Sequence, residues 1–339
     1  LKGLKENMKY NFETFPERKG TGSLKWQKYE GRDILPLWVA DMDFAAAPEI
    51  LDALHQRVDH GVIGYTKPYK EANDEVVAYL KRAHNLDIQP EWLFWIPGMV
   101  QGLLITAMAY AEPGEGVMTM TPIYPPFRLT GNWAGRKLVE VDLVHEEGRW
   151  TFDWASMEAA VQPDTKVFLL CNPHNPVGRV FSKVELEKLT DFCKRHGLIL
   201  CSDEIHCDLI LDDVTHVPTL SLGEEIHPFT FAMLAASKTY NLPGLACAYC
   251  IIPDAKLRVK FQRAARGIVT EINALGHTGT IAAYRHGEAW RGQLLDTLRR
   301  NRDLLYDFVE EELGPLKILP MEATYLAWID ARELGVDDP

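Results

Sequence analysis

Between Trp92 and Ile252 the sequence keeps switching period. Short apolar runs, each four to eight residues long, alternate with stretches that place an apolar residue every three or four positions. The runs are Trp92–Ile96, Val117–Met120, Lys137–Val144, Lys166–Cys171, Leu198–Cys201, Phe229–Ala235 and Leu245–Ile252. Helical patterns fall at Met99–Tyr110, Asp153–Val161 and Ser182–Arg195, the last opened by a Ser182-x-x-Glu185 capping box and stopped by Gly197. Strands separated by helices predict βαβ units, and hence an α/β fold with a mostly parallel sheet covered on both faces.

The flanks are helical as well. Residues 48–60 carry Ile50, Leu51, Leu54 and Val58 at helical spacing, with Pro48 suited to a first helical position. Glu71–His84, 254–266 and 289–313 read as helices, and Ala323–Asp330 as a final strand. Upstream, Leu35–Phe44 is apolar and ends in Asp41 and Asp43, acids expected to cap the turn and the following helix. Leu1–Asn7 reads as an expression-vector remnant, with Met8 as the natural start. No low-complexity tether divides the 339 residues. The expected organisation is a large domain over 46–285 and a smaller α/β domain assembled from 1–45 and 286–339.

A formal charge of −12 without a basic cluster argues against nucleic acid and anionic membranes as partners. No apolar run reaches the length of a membrane span. Of the six cysteines, Cys247-x-x-Cys250 invites a redox or metal reading. It lies inside a strand-like run, and no second Cys/His pair stands at zinc-finger spacing. Buried reduced thiols, no metal and a cytoplasmic location are the expectations.

Ligands of open parallel sheets collect at the carboxyl ends of the strands. The residues just past each run therefore matter most. They are Pro97-Gly98-Met99-Val100, Tyr124, Asn172–Gly178, Asp203–His206 and Ser237-Lys238. Each has a plain structural reading: a buried helix start, a core tyrosine, an Asn-Pro turn, a capping acid, a satisfied strand-end histidine, a solvated lysine. Taken jointly they offer a phosphate nest at a helix N-terminus, an aromatic face, an amide, a carboxylate and an amine. Apolar walls lower a lysine pKa and leave the amine nucleophilic toward a carbonyl. These are the groups that pyridoxal phosphate requires.

Ala236-Ser237-Lys238-Thr239-Tyr240-Asn241-Leu242-Pro243-Gly244-Leu245 resembles the lysine motif of fold-type-I pyridoxal-phosphate enzymes, the class I/II aminotransferase superfamily. Asn172–Gly178 resembles their asparagine loop and Ser202–His206 their aspartate strand end. Trp38–Phe44, Gly64-Tyr65 and Asp203-Glu204-Ile205-His206 look most like the cystathionine β-lyase branch of MalY/PatB type. The resemblance runs in order through the whole chain. It implies a seven-stranded, mostly parallel sheet between helices. Lys238 matches the lysine that joins the cofactor and later shuttles the Cα proton. Asp203 matches the carboxylate facing the pyridine nitrogen, Asn175 the donor to the phenolic oxygen, and Tyr124 the aromatic on the ring face. Backbone N–H groups of Gly98, Met99 and Val100, with the Ser237 hydroxyl, would bind the phosphate. Tyr65 matches a tyrosine reaching the phosphate of a neighbouring subunit, which implies a homodimer with shared sites. His206 stands where many aminotransferases carry a tyrosine near the phenolic oxygen.

Two departures bear on the reaction. The aminotransferases' phosphate-binding arginine, eight residues after the lysine, is Ala246 here, as in the lyase branch. The family's substrate-carboxylate arginine belongs to a segment beyond Ala323–Asp330, so no residue is assigned that role. The resemblance implies a C–S β-lyase acting on a sulfur amino acid such as cystathionine. An aminotransferase and a regulatory or binding protein built on the cofactor fold are the alternatives.

Overall fold

The computed structural model describes residues 9–335, so Leu1–Asn7 and Met8 lie outside the described residues. Along the chain the elements are α1 (Leu24–Gln27), α2 (Pro48–Asp59), α3 (Lys70–His84), β1 (Leu93–Ile96), α4 (Met99–Tyr110), β2 (Gly116–Thr121), α5 (Pro125–Ala134), β3 (Lys137–Glu146), β4 (Arg149–Phe152), α6 (Trp154–Ala160), β5 (Thr165–Cys171), α7 (Lys183–His196), β6 (Ile199–Asp203), β7 (Thr230–Leu234), β8 (Ala248–Ile251), α8 (Ala255–Ala265), α9 (Ala274–His286), α10 (Glu288–Glu312), β9 (Lys317–Ile318) and β10 (Ile329–Asp330). Among the described residues no helix is long and apolar enough to cross a membrane.

Eight strands form the main sheet in the order β1-β8-β7-β6-β5-β2-β3-β4, one more than the seven expected. The addition is β4. Glu147 and Gly148, both at positive φ (50° and 79°), make the tight turn that folds Arg149–Phe152 back on the end of β3. Strands β3, β2, β5, β6 and β7 run parallel, and β8 pairs antiparallel with both β7 and β1. The carboxyl ends of β1, β2, β5, β6 and β7 thus open on one edge. The chain enters β8 from that same edge.

The pleat of β5 shows how the sheet is covered. Val167, Leu169 and Cys171 face one layer with Leu103, Phe127, Phe231 and Phe261, which brings in α4, α5 and α8. Phe168 and Leu170 face the other, with Leu186, Leu189 and Phe192 of α7. Neighbouring residues enter opposite layers because strand side chains alternate. Both layers are buried, so these strands read as continuous apolar runs. A third cluster joins Leu234, Tyr249 and Ile251 to α2, α3, α9 and α10 through Ile50, Leu80, Ile281 and Trp290.

The Ser182–Glu185 capping box is formed, and Gly197 ends α7 in the left-handed conformation. Two helices give little sequence signal. Helix α5 opens on Pro125-Pro126, which reads as loop, although Pro favours the first helical turn. Helix α9 is buried on most of its surface and so lacks an amphipathic stripe. It packs so closely on residues 242–247 that a Cβ at Gly279 would lie 2.5 Å from Leu245.

Two expectations fail. Asp41 and Asp43 do not cap α2, whose N-cap is Ala47 with no side-chain bond. Instead Arg18 bonds both carboxylates, and Lys25 and Trp26 bond Asp43. These long-range ion pairs leave no local pattern. Likewise, the strand expected at Ala323–Asp330 is broken: Ile329–Asp330 pairs with Lys317–Ile318, and Ala323 makes a single antiparallel bridge to Ile210. Thr324 at φ 72° breaks the extension, and the backbone around it bonds Gly178 and Leu209. Gly178 is itself left-handed, and a Cβ there would meet the Ala323 carbonyl at 2.9 Å.

The same junction contains a buried ion pair. Glu322 accepts from Arg179 Nη1 at 2.9 Å and from Val180 N at 2.7 Å, and Arg149 bonds it as well. It clamps the C-terminal segment to the loop that carries Asn175. Glu322→Ala leaves Arg179 paired with Glu185, through bonds of 2.9 and 2.8 Å, but takes the acceptor from the buried Val180 N–H, and is expected to cost about 1–3 kcal/mol, read by denaturant unfolding.

Candidate active site

A cavity of about 180 Å³ opens at the carboxyl edge of the sheet. Lys238 enters it from the turn after β7, Asp203 from the end of β6, and Asn175 from the loop after β5. Tyr124 reaches it from the turn after β2, and Gly98, Met99 and Val100 from the start of α4. Ser237 and His206 complete the set. Residues separated by as many as 140 positions, from Gly98 to Lys238, converge because parallel strands end on one edge.

The Lys238 amine donates to the Ala40 carbonyl at 2.7 Å. Burial lowers its pKa, opposed by the negative charges of Asp41 and Asp203. Asp203 is 3% exposed and among the described residues accepts one bond, from Ile205 N at 3.1 Å. Burial pushes its carboxyl up to about 7. The Ile205 N–H pulls against that shift, the neighbouring Glu204 charge adds to it, and the Lys238 charge opposes it. A buried carboxylate with one neutral donor is a strong acceptor for a cation. Its strand end is held by the Asn172 N–H on the Asp203 carbonyl and by the Glu204 N–H on the Met233 carbonyl.

Tyr124 and Asn175 are joined through a backbone bond from Tyr124 N to Asn175 O at 3.1 Å. Burial, then the Asp203 charge, raises the Tyr124 phenol. Gly98 is the N-cap of α4 and bonds no N–H through a side chain. The first N–H groups of α4 therefore remain available to an anion at the cavity wall.

His206 is not the satisfied strand-end histidine of the sequence reading. It lines the cavity, is buried, and its Nδ1 has no partner among the described residues. Burial and the Lys238 charge push it down to about 3, so the ring is neutral. Tyr65 is elsewhere: it is fully exposed and does not line this cavity.

Among the wall residues, Gln101 and Phe127 carried no sequence signal, and nothing in the Trp38–Phe44 motif pointed to the part that Ala40 plays. Ala40 contributes a backbone carbonyl, which no residue type announces. Ala246 also lines the wall, at φ 48°. All six cysteines are unpaired and buried, including Cys247 and Cys250.

The donor set fits pyridoxal phosphate. A buried amine, a buried acid with unmet capacity for a cation, an orphaned neutral imidazole nitrogen and a free helix N-terminus each match one group of that molecule. Such an edge with such a lysine defines a fold-type-I pyridoxal-phosphate enzyme.

Residues 32–337 match the family model for aminotransferase class I and II. The chain is 36% identical to cystathionine β-lyase PatB of Bacillus subtilis (strain 168) over 334 residues, covering 97% of this chain and 86% of that one. It superposes on the crystal structure of OvoB with a TM-score of 0.94 at 42% identity, covering 97% and 87% of the two chains. Against cystalysin from Treponema denticola, which contains pyridoxal 5'-phosphate, the TM-score is 0.93 at 33% identity, covering 97% and 86%. The chain belongs to the class I and II aminotransferase family, within its MalY/PatB branch.

Proposed function

We propose that this enzyme is a C–S β-lyase, releasing a thiol from cystathionine or a related S-substituted cysteine and leaving pyruvate and ammonia. The observation that carries the reading is the similarity to a cystathionine β-lyase along 97% of the chain, with the lysine, carboxylate, amide and tyrosine of the site all at one cavity. Ala246 favours the same reading, since aminotransferases carry an arginine there.

Pyridoxal phosphate, when bound, supplies the electron sink that stabilises negative charge at the substrate Cα. Lys238 would hold it covalently, Asp203 would face its pyridine nitrogen, Asn175 its phenolic oxygen, and Tyr124 its ring. The α4 N-terminus (Gly98, Met99, Val100) and Ser237 would hold the phosphate. The chain's own part in the reaction is proton transfer and orientation. Burial keeps the Lys238 amine toward its neutral form, as a base for the Cα proton requires. Ala40 O offers that amine an acceptor when it is free. Neutral His206 offers a hydrogen-bonding nitrogen without adding charge near Asp203. Loss of the β-thiolate after proton removal leaves a three-carbon fragment that water converts to pyruvate and ammonia.

The reading extends to assembly and location. Tyr65 is fully exposed beside exposed Val62 and Ile63, and Leu35 and Leu37 are exposed too. An apolar surface of this kind suits a second copy of the chain. A homodimer in which Tyr65 serves the neighbour's phosphate is therefore part of the proposal. Six buried, unpaired cysteines suit the cytoplasm. Homocysteine released from cystathionine suits a role in methionine biosynthesis.

Incubation with cystathionine in the absence of any keto acid tests the reading. Pyruvate and thiol are expected in equal amounts. Strict dependence on a keto-acid acceptor would mark an aminotransferase instead, a reading favoured by 37% identity to a PLP-bound putative aminotransferase from Clostridium difficile 630.

A further inference from the structure

Five residues past Asp203, another buried carboxylate lies where three distant parts of the chain meet. Asp208 is 3% exposed. Its Oδ1 lies 2.9 Å from His84 Nε2, at the end of α3, and 3.7 Å from Arg291 Nη1 of α10. Its Oδ2 accepts from Thr239 Oγ1 at 3.3 Å. Thr239 is fully buried and directly follows Lys238. Arg291 also donates to the Asp208 carbonyl at 3.4 Å.

A buried carboxylate needs both a counter-charge and hydrogen-bond donors. Arg291 meets the first need, and His84 and Thr239 stand at hydrogen-bond distance for the second. Desolvation raises the Asp208 carboxyl, but the bond and charge of His84, then Arg291, outweigh it and hold the group down at about 2. Cys207 Sγ lies 3.7 Å from His84 Nε2, and the ligating atoms of His84, Cys207 and Asp208 fall within 4.8 Å of one another. The Arg291 guanidinium already stands beside the carboxylate as its cation, so we read the group as an ion-pair cluster. With its charge balanced on one side, the carboxylate keeps its second oxygen for the turn that carries the lysine.

We propose that Asp208 is a positioning residue: through Thr239 it fixes the turn from which Lys238 reaches the cavity, and so couples the Asp203 strand end to the lysine. The inference rests on the reading of Lys238 as the residue that holds the cofactor. Neither Asp208 nor Thr239 lines the cavity, so both act only through their neighbours.

The test uses the cofactor-loaded enzyme carrying Thr239→Val, Thr239→Ser, Asp208→Asn or Thr239→Val with Asp208→Asn. Thr239→Val keeps the shape and removes the hydroxyl, leaving the His84–Asp208–Arg291 cluster intact. It is expected to lower kcat about tenfold with KM changed less than about twofold. The pH midpoint of the visible absorbance of the Lys238-bound cofactor should move by at least about half a unit. Thr239→Ser should restore both. The double variant should lose no more than the worse single one, because both changes break one bond. Additive losses, or an unmoved midpoint with Thr239→Val, would overturn the proposal. Should Asp208→Asn fail to fold, the Thr239→Val and Thr239→Ser pair still decides. Absence of lysine-bound absorbance in the unaltered enzyme would instead sink the reading of Lys238.

Discussion

Lys238→Ala is expected to lower pyruvate release from cystathionine by at least about 10³-fold while leaving the fold intact. The amine has two tasks in the proposed chemistry, covalent attachment and removal of the Cα proton, and general-base transfer alone contributes roughly 10²–10⁴-fold. The stability side follows from the direction of the pKa shift. Burial lowers the Lys238 pKa, so the interior disfavours the ammonium that the unfolded chain carries at neutral pH. Among the described residues, removing the side chain loses one hydrogen bond to a backbone carbonyl and no ion pair. Unfolding midpoints of the cofactor-free proteins should therefore agree closely. A variant that still releases pyruvate at a tenth of the original rate would remove Lys238 from the mechanism.

Asp203→Asn carries the second large effect, and it has opposite signs in two assays. In the proposed chemistry Asp203 would face the pyridine nitrogen of the bound cofactor, and an amide there would not match a positive charge. Breaking such a buried pair costs about 3–5 kcal/mol, or roughly 10²–10⁴-fold in rate. Without cofactor the carboxyl is pushed up to about 7 from an ordinary value of 3.8. Between those values the unfolded chain has lost the proton and the folded chain retains it. Stability contributed at low pH therefore declines as pH rises from about 4 through 7. At pH 8 the folded protein bears a buried carboxylate with one neutral donor. Asparagine removes that penalty, so cofactor-free Asp203→Asn should be more stable than its parent at pH 8, by up to roughly 4 kcal/mol. The gap should shrink toward pH 5. Denaturant unfolding at the two pH values measures it, and a less stable variant at pH 8 would contradict the sign.

Much of this site is legible in the residues because its parts are local. A strand run followed by Ser237-Lys238, or by Asp203 and His206, places a side chain at a strand end by short-range geometry alone. The capping box of α7 is visible for the same reason. What escapes is whatever depends on another part of the chain. Asp41 and Asp43 resemble caps until Arg18 and Lys25 fold over them. Helix α9 has no stripe because it is covered on most sides. His206 looks satisfied until its Nδ1 is found without a partner in the cavity wall.

By itself, the sequence determined the βαβ order, the edge on which ligands gather and the residue types delivered there. Each follows from the period of apolar residues and from which residue follows each run. Only the tertiary structure decided the rest. It set Ala40's carbonyl against Lys238, left Asp203 with a single donor, and joined Asp208 to Thr239. Such contacts arise where distant segments pack, and the protonation state of a buried group depends on every dipole and charge packed around it.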